Sequence, residues 1–275
     1  MLCLLMSEAR LRSDTDDEVG FEAYGVRALL SVSPTELLAR AHSLLPPGWT
    51  PCPPSPAATR FSISELDGGY DVRVDDVSRT QTIDPNVALG VLDAQIRAYV
   101  ALRAPQRIFV HAGVVGHDGG TIVVPGPSFS GKTTLVAALV QAGAVYYSDE
   151  YAVLDERGFV HPYPKPLSIR REWTGGADQP VASLGGRVGS DPLPVALIAV
   201  TSYRPGARWK PQRQSPASGA LALFSNTVPA RDRPAQALAA VRQAAASALV
   251  LEGERGEAAD MAADLLSTPR PHGPR

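Results

Sequence analysis

A chain of 275 residues with 44% hydrophobic content can bury a full core unaided, as one large domain or as a small module joined to a larger one. Its formal net charge of −2 argues against nucleic acid as a general partner, because counterion release needs clustered Lys and Arg. The apolar start Met1 to Met6 is too short for a membrane span or a signal core, and Cys3 and Cys52 show neither metal nor disulfide spacing. The expectation is a cytoplasmic protein with inert thiols and no membrane partner.

In chain order, residues 1–19 are polar and acidic without periodicity and predict a loose terminus. A strand-like run follows from Phe21 to Val32. Ser33-Pro34-Thr35-Glu36 then reads as a serine cap with proline at the first helical position, leading a helix through Leu45. After a proline-rich connector, the alternation from Arg60 to Val74 predicts a strand pair turning at Asp67-Gly68-Gly69. A long helix from Asp84-Pro85 carries Leu89, Leu92, Ile96 and Tyr99 on one face and stops at Pro105. These elements form a small α+β module over 20–104.

The second region, 105–267, begins with a β-branched hairpin around His117-Asp118-Gly119-Gly120. Its second strand feeds Gly126-Pro127-Ser128-Phe129-Ser130-Gly131-Lys132-Thr133, which fits G-x4-G-K-[ST] in full and opens a helix with Thr134 behind it. Glycines let successive N–H groups converge on phosphate oxygens, and the helix terminus adds partial positive charge. Lys132 would reach the outer phosphates of ATP and Thr133 would offer its hydroxyl to Mg2+. Lysine occurs elsewhere only at positions 165 and 210.

Ala144 to Ser148 predicts a short strand ending at Asp149-Glu150. Paired parallel to the strand before the loop, it would bring both carboxylates to the phosphate edge, with Asp149 assigned to the metal and Glu150 to the proton, although two adjacent carboxylates titrate together and either could serve as the base. A hairpin follows, turning at Glu156-Arg157-Gly158. Residues 171–194, rich in Gly, Pro and Asp, predict a mobile loop beside the site. Next come a buried strand to Thr201, two alanine-rich helices over 234–247 and 254–266, and a strand between them. The tail, 268–275, is expected to be disordered. Weaker site candidates are His111, Lys165, Arg170, Asn226-Thr227 and Arg231.

From 107 to 170 the chain resembles the catalytic domain of the HPr kinase/phosphorylase family. In that family a histidine stands where His111 lies in Phe109-Val110-His111-Ala112-Gly113, and an acidic pair follows the P-loop helix and a short strand. The family's pair is Asp-Asp, whereas Glu150 is one methylene longer. Arg204-Pro205-Gly206 matches only a fragment of the family's downstream signature, and the first hundred residues do not resemble its regulatory domain. Ser148-Asp149-Glu150 is also similar to the metal-binding run of ATP-dependent phosphoenolpyruvate carboxykinases.

The resemblance implies an α/β protein with a compact P-loop kinase domain of HPr-kinase type, its mixed sheet flanked by helices. It implies ATP and Mg2+ as cofactors and a serine hydroxyl of a small protein or peptide as acceptor, and it leaves a homo-oligomer open. A small-molecule kinase and a nucleotide-dependent switch with slow ATPase activity are the alternatives.

Overall fold

The computed structural model describes residues 18–170 and 176–269, and for 168–170 and 176–178 the backbone alone. The chain divides into two compact units at residue 100. The predicted loose segment 1–17, Cys3 and the end of the tail from 270 lie outside the described residues.

In the first unit the run 21–32 is a hairpin and not one strand. β1 (Glu18–Ala23) and β2 (Val26–Val32) pair antiparallel around Tyr24-Gly25, both in the left-handed region that a tight turn requires. The predicted serine cap is not made: Pro34 is the extended flanking residue of a 3-10 turn, Thr35–Leu37, with no side-chain capping bond. α1 (Leu38–His42) is correspondingly short.

β3 (Thr50–Pro51) pairs with β1 from within the proline-rich connector. β4 (Thr59–Leu66) runs parallel to β2 and forms the expected hairpin with β5 (Gly69–Val74). β6 (Val77–Thr82) completes a six-stranded sheet of order β3-β1-β2-β4-β5-β6. This last strand is an exposed edge, so its sequence lacks the apolar alternation that marks a half-buried strand. α2 (Pro85–Arg103) starts where Asp84 accepts from the Asn86 N–H, and Leu89, Leu92 and Ile96 are buried at helical spacing. Tyr99 meets Phe61 edge-on.

The second unit is a mixed sheet with helices on both faces. β7 (Ile108–His117) and β8 (Gly120–Pro125) form the predicted hairpin, and β8 is buried throughout, as befits an interior strand. α3 (Lys132–Gln141) follows the glycine loop, then β9 (Val145–Ser148), β10 (Tyr151–Leu154) and β11 (Phe159–His161). β12 (Leu167–Arg170) and β13 (Gly176–Gln179) make a separate ribbon. β14 (Leu193–Tyr203), β15 (Gln212–Gln214), α4 (Pro216–Phe224), α5 (Pro234–Ala245), β16 (Leu249–Arg255) and α6 (Ala258–Ser267) complete it. The strand order is β11-β10-β7-β8-β14-β16-β15, with β9 also on β7. Leu223, Ala237 and Val241 of α4 and α5 belong to one apolar cluster. Leu135, Leu139, Met261 and Leu265 of α3 and α6 belong to the other.

Two expectations are corrected here. β9 does not pair with β8; it is antiparallel to β7, and β8 takes β14 as its parallel neighbour. Because β7 itself opposes β8, β9 still runs in the direction of β8, so Asp149 reaches the same edge by another route. The described part of 171–194 is also not a structureless loop. The Tyr146 N–H donates to the Arg187 carbonyl, the Gly189 N–H donates to the Tyr146 carbonyl, and the Tyr147 hydroxyl donates to the Asp191 carbonyl. Such main-chain pairing needs no side-chain periodicity and leaves no pattern in the sequence.

Candidate functional site

The loop between β8 and α3 is held at both ends by the backbone. The Gly126 N–H donates to the His111 carbonyl on β7, and the Leu135 N–H donates to the Gly131 carbonyl to start the helix. Gly131 takes φ of 79°, a left-handed turn that lets the chain enter α3 without a side-chain cap. Phe129 is also left-handed and is 81% exposed. Pro127 and Ser128 are exposed, Ser130 is half-buried, and Thr134 points outward from the first turn of α3.

Lys132 is buried, and its ammonium donates to the Pro127 carbonyl over 2.7 Å, folding the side chain back along the loop. Burial lowers its pKa, with the Asp149 carboxylate opposing that shift.

Asp149 and Glu150 occupy a bend between β9 and β10, and both strands run along β7. The register Ser148 to Val114 and Tyr151 to His111 puts Asp149 opposite Gly113 and Glu150 opposite Ala112. The pair therefore interrupts a strand position and is not a solvated turn. The buried Ser148 hydroxyl accepts from the N–H groups of Glu150 and Tyr151 and fixes the bend. A Cβ on Gly113 would lie 2.6 Å from Val136 Cγ2 and 3.6 Å from Lys132 Cβ, so the bare glycine is what lets α3 approach this part of β7.

That approach brings the Thr133 hydroxyl to donate to Asp149 Oδ2 at 2.8 Å. The Tyr146 hydroxyl, wholly buried, stands 3.0 Å from Asp149 Oδ1 and 2.7 Å from the Lys165 carbonyl. Its single proton serves one of these acceptors at a time. Burial, then the nearby Asp149 charge, raise the Tyr146 pKa well above its ordinary value, so the phenol stays a donor.

No protein-family model matches this chain, and no curated protein matches its sequence.

The remaining candidates fall into two groups. His111 is half-buried, its ring 4.9 Å from that of Tyr151, and its backbone joins the loop to the Asn226 carbonyl. Asn226 and Thr227 thus flank the strand beside the site, but their side chains bond back to the Ala222 and Leu223 carbonyls of the preceding helix α4. Lys165 enters through its carbonyl on Tyr146. Arg170 ends β12, and its side chain lies outside the described part. Arg231 is exposed at the close of a 3-10 turn.

Sequence reasoning missed Tyr146 and Arg255. β8, β14 and β16 are parallel neighbours, so Gly126, Tyr203 and Arg255 emerge at one carboxyl edge. Crevices at such edges are where open α/β sheets take ligands. A polar groove of about 980 Å3 lies at the ends of β14 and β16, lined in part by Ser202, Arg204, Arg208, Glu252 and Glu254. Nothing local in the sequence marks Arg255, which follows the apolar run Leu249 to Leu251 only after Glu252-Gly253-Glu254.

Among the described residues no helix is long and apolar enough to cross a membrane.

Proposed function

We propose that this chain is a Mg2+- and ATP-dependent kinase of HPr-kinase type, which transfers the γ-phosphoryl group to a serine hydroxyl of a small protein or peptide. The observation that carries the reading is the 2.8 Å bond from Thr133 Oγ1 to Asp149 Oδ2. A hydroxyl at the start of the P-loop helix and a carboxylate from a neighbouring strand meet at one point, as an Mg·nucleotide site requires. Thr133 and Asp149 are oxygen donors and fit a hard ion that takes one or two carboxylates, keeps waters and is completed by phosphate oxygens. When bound, the ion neutralises charge on the phosphates.

The chain's own groups divide the remaining work. Main-chain N–H groups of 128–133 and the Lys132 ammonium receive the phosphates, and Lys132 exchanges the Pro127 carbonyl for phosphate oxygen. Asp149 accepts from the Thr133 hydroxyl on one oxygen and has the Tyr146 hydroxyl within 3.0 Å of the other, which suits it to the metal side. Glu150 is then the proton acceptor. The acceptor oxygen bonds to the γ-phosphorus, the bond to the ADP oxygen breaks, and the hydroxyl proton passes to the Glu150 carboxylate. The protein or peptide acceptor follows from the resemblance of 107–170 to HPr kinase/phosphorylase.

Incubation with γ-labelled ATP, Mg2+ and a lysate tests this reading. Label on a macromolecule, at serine, is the expected result. Release of free phosphate alone would replace the kinase with a nucleotide-dependent switch, and label on small molecules alone would indicate a small-molecule kinase.

A further inference from the structure

Arg255 is 3% exposed at the end of β16, with none of its nitrogens on a carboxylate among the described residues. Its Nη2 donates to the carbonyls of Ser130 at 3.1 Å and Gly131 at 3.3 Å, and its Nη1 donates to the Gly256 carbonyl at 3.3 Å. Nε is buried with no hydrogen-bond partner among the described residues. The guanidinium lies over the Tyr203 ring, 5.3 Å from its centre, and the Tyr203 hydroxyl is tied to Glu257. A Cβ on Gly131 would collide with Nη2, so the glycine also makes room for the arginine.

The two carbonyls matter because of the peptide plane. In a trans peptide the C=O and the following N–H point in opposite directions. Holding the Ser130 and Gly131 carbonyls against Arg255 therefore turns the N–H groups of Gly131 and Lys132 away from it, toward the concave side of the loop. Those are two of the donors a phosphate would meet. With Nη2 on both loop carbonyls and Nη1 on the Gly256 carbonyl, the planar guanidinium fork holds three main-chain oxygens at once, whereas a lysine is a point charge with a shorter reach.

Resting on the kinase reading above, we propose that Arg255 is a positioning residue of the nucleotide site. It fixes the two phosphate-binding peptide planes from behind and adds a buried positive charge to the loop, to which Glu257 is the nearby counter-charge. It acts through Ser130 and Gly131 and does not touch the reacting atoms.

A role in nucleotide binding and a role in fold stability separate in one experiment on the full chain. Binding of Mg·ATP is measured by calorimetry for parent, R255M and R255K, with thermal unfolding of each in the presence and absence of Mg·ATP. For R255M the expected results are a Kd raised about tenfold or more, a ligand-free Tm equal to or above the parent's, and a smaller Tm gain from nucleotide. R255K keeps the charge and loses the fork, so its Kd falls between the two.

A parent-like Kd in R255M overturns the proposal, as does a ligand-free Tm loss with an undiminished nucleotide response. If R255M does not accumulate folded, R255K decides, and a parent-like Kd there overturns it. A parent protein that binds no Mg·ATP removes both the kinase reading and this one, whereas parent binding with unaffected variants removes only the role of Arg255.

Discussion

Thr133 and Asp149 are sixteen positions apart and joined by a 2.8 Å bond from hydroxyl to carboxylate. The Tyr146 hydroxyl stands 3.0 Å from the other Asp149 oxygen and shares its one proton between that oxygen and the Lys165 carbonyl. Asp149→Asn keeps the shape and removes the charge. Mg2+ should then improve ATP affinity at least tenfold less than in the parent. Calorimetric titrations with and without EDTA give the comparison, and equal Mg2+ enhancement in both proteins would remove Asp149 from the metal.

Lys132 carries a burial cost that its replacement reveals. Its pKa is lowered, so the charged form is disfavoured in the fold; the penalty is full below the folded pKa and disappears as pH rises past the unfolded value. At neutral pH Lys132→Met should therefore leave ligand-free Tm unchanged or raise it. Mg·ATP affinity should fall about 100-fold, from charge-assisted bonds of roughly 1.5–3 kcal/mol each. A variant that binds nucleotide within a factor of two of the parent contradicts the phosphate role.

Glu150→Gln tests the proton acceptor. Removing a general base slows transfer by about 100-fold or more, with nucleotide affinity retained. Single-turnover transfer of labelled phosphate is the measurement, and a parent-like rate would exclude Glu150 as base.

Gly113→Val probes the packing that brings loop and carboxylate together. The first added carbon already lies 2.6 Å from Val136 Cγ2, so α3 must move away from β7. Overpacking of this kind costs about 1–3 kcal/mol. Urea denaturation should show that loss, and nucleotide affinity should fall with it because Lys132 and Thr133 ride on the same helix. Unchanged affinity in a destabilised variant would show that the site tolerates the shift.

Asp155 organises the hairpin after the acidic pair. Its Oδ1 accepts from the N–H groups of Arg157 and Phe159, and its Oδ2 lies 3.0 Å from His161 Nε2. Burial opposes ionisation, but His161 and the two N–H groups outweigh it and hold the carboxyl below its ordinary pKa. The stabilisation is thus present above the usual carboxylate range and lost as pH falls through the lowered folded value. Asp155→Asn should cost about 1 kcal/mol near neutrality, with parent and variant converging in acid. Urea midpoints across pH provide the check, and a gap that persists in acid would assign the loss to shape.

The amino-acid sequence alone determined what depends on neighbours along the chain. Strand, glycine loop and helix over 120–141 follow from a β-branched run, the loop spacing and an apolar helix, all local properties. The acidic bend was visible as two carboxylates after a short strand, and the hairpins at 67–69 and 156–158 were marked by their turn residues. The strand order was not local. Only the folded sheet decided that β9 lies on β7 and that residues 187–189 pair with it, because main-chain hydrogen bonds are alike for every sequence. It also placed Arg255 against a carbonyl 124 positions earlier, since proximity across parallel strands is fixed by sheet order and register, which side-chain periodicity does not encode.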